Sequence, residues 1–358
     1  MFSAGFRPFF LLASAWAAIA VPVWLAAYAH GYVLRGPLPA LFWHAHEMVF
    51  GFGMAVVTGF LLTAIPNWTG RLPVRGMPLA LLAMLWLAGR IAMLVPGLEL
   101  LDLAFPAALI VVVARELIAG RNWRNLPMLA ALALLFAANL LFHLGFQAGL
   151  RLGIATLCML IALVGGRIVP SFTRNWLAKQ GPRARLPAPE SGYDRGALLL
   201  TLVALATWVI APQDSSWFLV AAGAALAVRL ARWRGYAALR EPLLFILHLG
   251  YAWLALGLVL LGLEMRSALH ALTVGAVGTM TLAVMTRASL GHTGRALVAD
   301  PATVTIYALV TLAVLLRLAS PFTGAQAVLI ASLSGIAWSA AFATFALHYG
   351  RFLIQEKR

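Results

Sequence analysis

Runs of about twenty apolar residues alternate along the whole chain with short breaks rich in charge, proline or glycine. A helix needs roughly 20 apolar residues to cross the hydrocarbon of a bilayer. The pattern predicts twelve such helices, beginning near Phe9, His44, Pro78, Glu99, Leu126, Leu152, Gly196, Ser216, Pro242, Ser267, Pro301 and Ala325. Together they use most of the 358 residues. The expected fold is therefore all-α, a polytopic membrane protein in which residues 1–358 form a single integral membrane domain. The longest break, "RNWLAKQGPRARLPAPESGYDRG", is rich in proline, glycine and charge. It predicts a cytoplasmic loop over 179–195 between two six-helix halves, 1–178 and 196–358. The first run follows Arg7 and contains Ala27-x-Ala29, a small-residue pair that a signal peptidase accepts, but it is longer than the roughly 7–15 residues of a signal h-region. It is expected to stay in place as a helix.

Composition agrees with the pattern: hydrophobic residues make up 63% of the chain and charged residues 10%, and the mean hydropathy is +0.93. The formal net charge of +15 changes the picture only through its distribution. With the N-terminus placed in the cytoplasm, 21 of the 26 Lys and Arg fall on the cytoplasmic side. The remainder are Arg35, Arg90, Arg151, Arg266 and Arg317, accompanied by Glu99, Asp102, Asp214 and Glu264. That is the positive-inside bias of a multi-pass protein, with an even number of helices and both termini cytoplasmic. The basic charge then reflects topology and contact with anionic lipid rather than binding of nucleic acid.

This topology gives each histidine a depth. His30, His44, His46, His143 and His270 fall in the periplasmic half, and His248, His292 and His348 lie toward the cytoplasm. Ionisable side chains within a membrane face the bundle interior, where they pair, relay protons or bind a ligand; His30 and His348 read instead as caps at helix ends. Cys158 is the only cysteine, which excludes a thiolate cluster and a covalently attached haem. Any metal must rely mainly on histidine. In "HAHEMVFGF", His44 and His46 point about 200° apart on a regular helix, so they serve different sites unless the helix begins between them. Glu47 is one turn from His44 and is the expected acceptor that orients that imidazole. His248 is one turn from Tyr251 in "LHLGYAW", which places the imidazole and the phenol on one helix face.

Two stretches correspond at a separation of 224 residues. His46, Gly51 and Thr69-Gly70-Arg71 align with His270, Gly275 and Thr293-Gly294-Arg295. Both helices run from periplasm to cytoplasm, which puts His46 and His270 at one depth beside glycines. Such a pair suits axial ligation of a non-covalent, b-type haem. The imidazoles of His44, His143 and His248 are then the candidates for copper, a metal suited to nitrogen ligands. At the cytoplasmic ends, Arg287, His292 and Arg295 lie opposite "NWTGR". They read either as a positive-inside anchor or, with Arg167, as an anion site.

The segments "FRPFFLLA", "HAHEMVFGF", "GFLLTAIPNWTG", "GGRIVPSFT" and "HALTVGAVGTMTLAVMTRASLGHTGR", taken in order, resemble the NnrS family of bacterial membrane proteins. The resemblance implies a haem- and copper-containing protein of the inner membrane, associated with denitrification and with handling of nitric oxide or iron-nitrosyl species. The order of helices also resembles the catalytic subunit of haem-copper oxidases, in which histidines of the second and tenth of twelve helices bind haem; His46 and His270 occupy the second and tenth here. Two other classes stay open on the sequence: a twelve-helix secondary transporter, and a haem-bearing assembly or sensory partner of a respiratory complex.

Overall fold

The computed structural model describes residues 1–34, 36–181 and 185–355. The side chain of His30 and the charges Arg35, Arg183, Lys357 and Arg358 counted above lie outside the described residues. The described chain is helical throughout, with no strand among the described residues. In chain order the long helices are α1 (Phe6–His30), α2 (Ala40–Thr69), α3 (Met77–Ala92), α4 (Ala104–Ala119), α5 (Leu126–His143), α6 (Gln147–Ala178), α7 (Gly192–Ile210), α8 (Ser216–Ala231), α9 (Pro242–Gly262), α10 (Ala268–His292), α11 (Pro301–Ala319) and α12 (Ala327–Ile354). Nine helices among the described residues are long and apolar enough to cross a membrane; α3 and α8 are apolar but shorter, and α4 spans 16 residues. The chain is a multi-pass membrane protein.

Local signals set the helix boundaries. Ser191 and Asp194 form a reciprocal capping box at the start of α7, and Asp300 accepts from the Thr303 N–H at the start of α11, with Pro301 in the first turn. Three helices widen into π-helical segments, Glu47–Gly53 in α2, Ile161–Gly165 in α6 and Ala271–Gly278 in α10. Such segments are uncommon and gather at functional sites. The correspondence at 224 residues extends to these details. The π segments of α2 and α10 both begin directly after the histidine, and both helices stop at a left-handed glycine, Gly70 at φ 68° and Gly294 at φ 66°. The preceding threonines donate back by one turn, Thr69 to Ile65 O and Thr293 to Ser289 O.

The residues group into two compact units. The first holds Met1–Thr156, Ala288–Ala296 and Trp338–Arg358; the second holds Leu157–Arg287 and Leu297–Ala337. In the first unit, Phe9, Phe10, Phe50, Phe52, Phe342 and Phe345 are fully buried. Phe52 meets Phe342 edge-on at 5.0 Å between ring centres. Gly59 lets Phe9 and Phe10 close on α2, since a β-carbon there would meet both rings. In the second unit, glycines again permit close helix contact: Gly223 lies against Ala255 O, Gly262 against Ser216 O, and Gly257 against Leu272. Small residues at helix contacts are what membrane packing favours, because lipid offers no hydrophobic gain for bringing helices together.

Arg7 ties the first helix of the first unit to the last. Its guanidinium donates to Leu353 O at 2.9 Å and Gln355 O at 2.8 Å, satisfying carbonyls at the C-terminal end of α12. A cation there also complements the helix dipole. Arg7→Ala is expected to destabilise the protein by about 1.5–3 kcal/mol, the range for hydrogen bonds to charged groups. Thermal unfolding of the detergent-solubilised protein reads this loss, and an unchanged midpoint would show that the contact contributes nothing.

Candidate metal centre

Within the first unit, four helices and one turn bring a compact polar cluster into an apolar interior. His46, the last residue before the π segment of α2, is fully enclosed, as is Glu47; Asp102 is 2% exposed and Arg90 3%. Asp102 comes from the 3-10 turn Glu99–Leu103 ahead of α4, Arg90 from α3, and Asn139 and His143 from the last turns of α5. The His46 Nδ1 lies 3.0 Å from Glu47 Oε1. Its Nε2 lies 3.0 Å from Asn139 Oδ1 and 3.2 Å from Asp102 Oδ2. Asn139 Nδ2 donates to that same Asp102 oxygen at 2.6 Å. Arg90 spans the two acids, donating to Glu47 Oε2 at 2.7 Å and to Asp102 Oδ1. Trp16 of α1 donates to Glu47 Oε2 at 2.7 Å.

Glycines make room for this arrangement. A β-carbon at Gly51 would run into the Arg90 guanidinium and come within 2.8 Å of the Glu47 carboxylate and 3.1 Å of the Trp16 indole nitrogen. One at Gly89 would sit 2.6 Å from Asp102 Oδ1. The π segment supplies a further anchor, because the Gly51 carbonyl accepts from the Trp86 indole at 3.0 Å. Trp86 in turn lies beneath the Arg90 guanidinium.

One ligand atom each from His46, Asp102 and His143 lies within 4.8 Å of the others, with His143 Nε2 at 3.7 Å from Asp102 Oδ2. Two imidazoles and a carboxylate form a donor set that transition metals accept. Both ring nitrogens of His46 face acceptors, Glu47 at Nδ1 and Asn139 with Asp102 at Nε2, as a protonated imidazole would. A metal ion at this centre would take the place of that proton at Nε2, so the cluster exchanges one cation for another and its two carboxylates stay compensated.

The residues singled out from the sequence fall in several places. His44 and His46 diverge as the helix geometry requires: the His44 ring stacks on Trp24 of α1 at 4.2 Å, while His46 enters the cluster. Glu47, expected to orient His44, instead holds His46, because Arg90 and Trp16 from neighbouring helices draw its carboxylate inward. His143 joins His46 beside Asp102. His248 and Tyr251 belong to the second unit and take different partners. His248 Nε2 meets Thr173 Oγ1 at 2.9 Å. The Tyr251 hydroxyl accepts from Arg229 at 2.9 Å, and Arg229 also donates to Asp194 and to Ala162 O in the π segment of α6. His270, also in the second unit, has its Nε2 3.1 Å from Arg317. At the helix ends, Arg287 lies over the Phe172 ring at 4.1 Å and Arg295 over Phe352 at 3.9 Å. The His292 ring is 5.5 Å from Phe6, and Arg167 is exposed.

A family model described as "NnrS protein" matches residues 1–357. The chain belongs to the NnrS family. No curated protein compared with it matches. The match covers nearly the whole chain, so both compact units and all three π segments of this NnrS-family protein lie within it. Arg90, Asp102 and Asn139 were missed as site residues from the sequence alone. The available signal was a lone charge inside an apolar run, at Arg90 in "LAGRIAM" and Asp102 in "LLDLAF", since such a charge needs a mate on another helix.

Proposed function

We propose that this NnrS-family chain is a metal-dependent inner-membrane protein that handles or protects against nitric oxide in a denitrifying context, with copper held by His46, His143 and Asp102. The observation that carries the reading is the buried imidazole-carboxylate cluster, in which His46, His143 and Asp102 each offer a ligand atom within 4.8 Å of the others. Copper suits imidazole nitrogen, and when bound it would supply one-electron chemistry. The chain's own residues do the rest. Glu47 orients His46 through Nδ1, the arrangement by which outer partners fix a metal-binding imidazole. Arg90 and Asn139 hold Asp102 on both oxygens. The surrounding Phe50 and Phe142 rings, 5.3 Å and 5.2 Å from His46, keep water away.

The residues around His46 do not fit a haem. Its Nε2 faces Asn139 and Asp102, and its faces are taken by phenylalanine rings and by His143 at 5.2 Å, so an iron macrocycle would have to displace the network. His270 has Arg317 at its own Nε2. The haem that the family resemblance implies is therefore not assigned to the pair His46 and His270. The charge distribution further supports twelve membrane crossings, with α3, α4 and α8 as the short ones and both termini in the cytoplasm.

Copper content, together with the electron paramagnetic resonance spectrum before and after nitric oxide is added, tests the proposal on the purified protein. The wild type is expected to carry copper and to change its signal with nitric oxide. His46→Ala and His143→Ala are each expected to lose most of the copper. Wild-type copper content in both variants would overturn the assignment.

A further inference from the structure

The second unit contains a pocket of about 430 Å³ where α7 and α9 end and α8 and α10 begin. Its lining combines the apolar side chains of Trp208, Leu261, Met265 and Leu269 with the polar groups of Ser216, Ser267, Glu264 and His270. The volume lies in the range of small-molecule sites, which combine an apolar lining with a few convergent polar groups. Two of the polar residues are held in a conformation that side-chain-bearing residues rarely adopt, Glu264 at φ 53° and Ser267 at φ 62°. Backbone strain of this kind gathers at ligand clamps. Ile210 and Trp217, close in sequence to the lining residues Pro212 and Ser216, are large apolar side chains 81% and 84% exposed.

We propose that this pocket takes the headgroup of a membrane quinone or quinol. Three features select that chemistry. The pocket lies at the ends of membrane-spanning helices, the level at which a molecule with an apolar tail and a polar ring rests in a bilayer. Its lining joins Trp208 and Met265, side chains that pack well on flat rings, to hydroxyl, carboxylate and imidazole groups able to bind two ring oxygens. The charged group of the lining is the Glu264 carboxylate. A neutral ligand is compatible with it, whereas a phosphate headgroup would place an anion beside it. The site is independent of the metal cluster in the first unit.

Equilibrium binding of a radiolabelled decyl-benzoquinone to the full chain in lipid nanodiscs tests this, with empty nanodiscs as the blank. Saturable binding at one site per chain is expected, weakened at least tenfold in Glu264→Gly and in Ser267→Gly. Both positions already adopt a backbone conformation that glycine prefers, so these variants remove the contact while easing the turn. Uptake no greater than in empty nanodiscs overturns the proposal, as does saturable binding that both variants leave unchanged. Displacement of the quinone by phosphatidylglycerol at similar affinity would make it a lipid-headgroup site instead. Copper content measured on the same samples separates the two readings: quinone binding absent with copper intact removes only this one.

Discussion

Asp102→Ala is expected to strip the bound metal and to lower stability by about 3–5 kcal/mol, the cost of breaking a buried ion pair from one side. The variant removes a ligand and leaves Arg90 with only Glu47, while the buried Asn139 and His46 lose an acceptor. Asp102→Asn separates the two effects. It keeps the shape and part of the hydrogen bonding but removes the negative charge of the ligand while Glu47 still pairs with Arg90, so the metal is expected to be lost with a smaller fall in the unfolding midpoint. Metal analysis and thermal unfolding on the same preparations read both quantities. An Asp102→Ala protein that retained its copper would exclude the carboxylate as a ligand.

Gly51→Ala is expected to be nearly as damaging although it adds one methyl group. The new carbon would occupy space used by the Arg90 guanidinium, the Glu47 carboxylate and the Trp16 indole. All three are fixed by one another, so none can move without breaking a hydrogen bond. Overpacking of a tight core costs about 1–3 kcal/mol, and the displaced Arg90 adds the cost of an unpaired buried charge. Gly70→Ala serves as the comparison, because nothing lies near its β-carbon position and only the left-handed turn at φ 68° is strained. Gly51→Ala should lose copper and Gly70→Ala should keep it. Equal copper in the two would mean that Gly51 does not shape the centre.

Much of the membrane architecture was legible in the chain because hydropathy acts locally. An apolar run long enough to cross hydrocarbon must satisfy its own backbone hydrogen bonds, and a helix is the way a single segment does so. Most breaks were legible for the same reason, through charge, proline and the Thr-Gly stops at Gly70 and Gly294; the capping box of Ser191 with Asp194 starts α7 at Gly192, inside the segment expected as a loop over 179–195. The divergence of His44 from His46 followed from helix rotation alone. The correspondence between His46 and His270 was visible as a spacing, and the matching π segments and left-handed caps give it local structural form.

The candidate site was only half visible, since its other half comes from residues that are unremarkable in sequence. His46 and His143 stood out as ionisable groups in apolar surroundings, but 97 positions separate them, and no periodicity relates α2 to the end of α5. Asp102 looked like a charge at a helix boundary and Arg90 like a stray cation in a span. Which carboxylate meets which guanidinium depends on how helices pack, and the same sequence pattern allowed Glu47 to turn toward His44. Charge decided the matter in three dimensions: Arg90 enters beside Gly51, captures Glu47 and Asp102 together, and so aims both acids at His46. The sequence by itself determined a multi-pass helical protein of this family with histidines buried in its spans. Only the tertiary structure decided which of them share a site, because buried charges are satisfied by neighbours in space and not by neighbours along the chain.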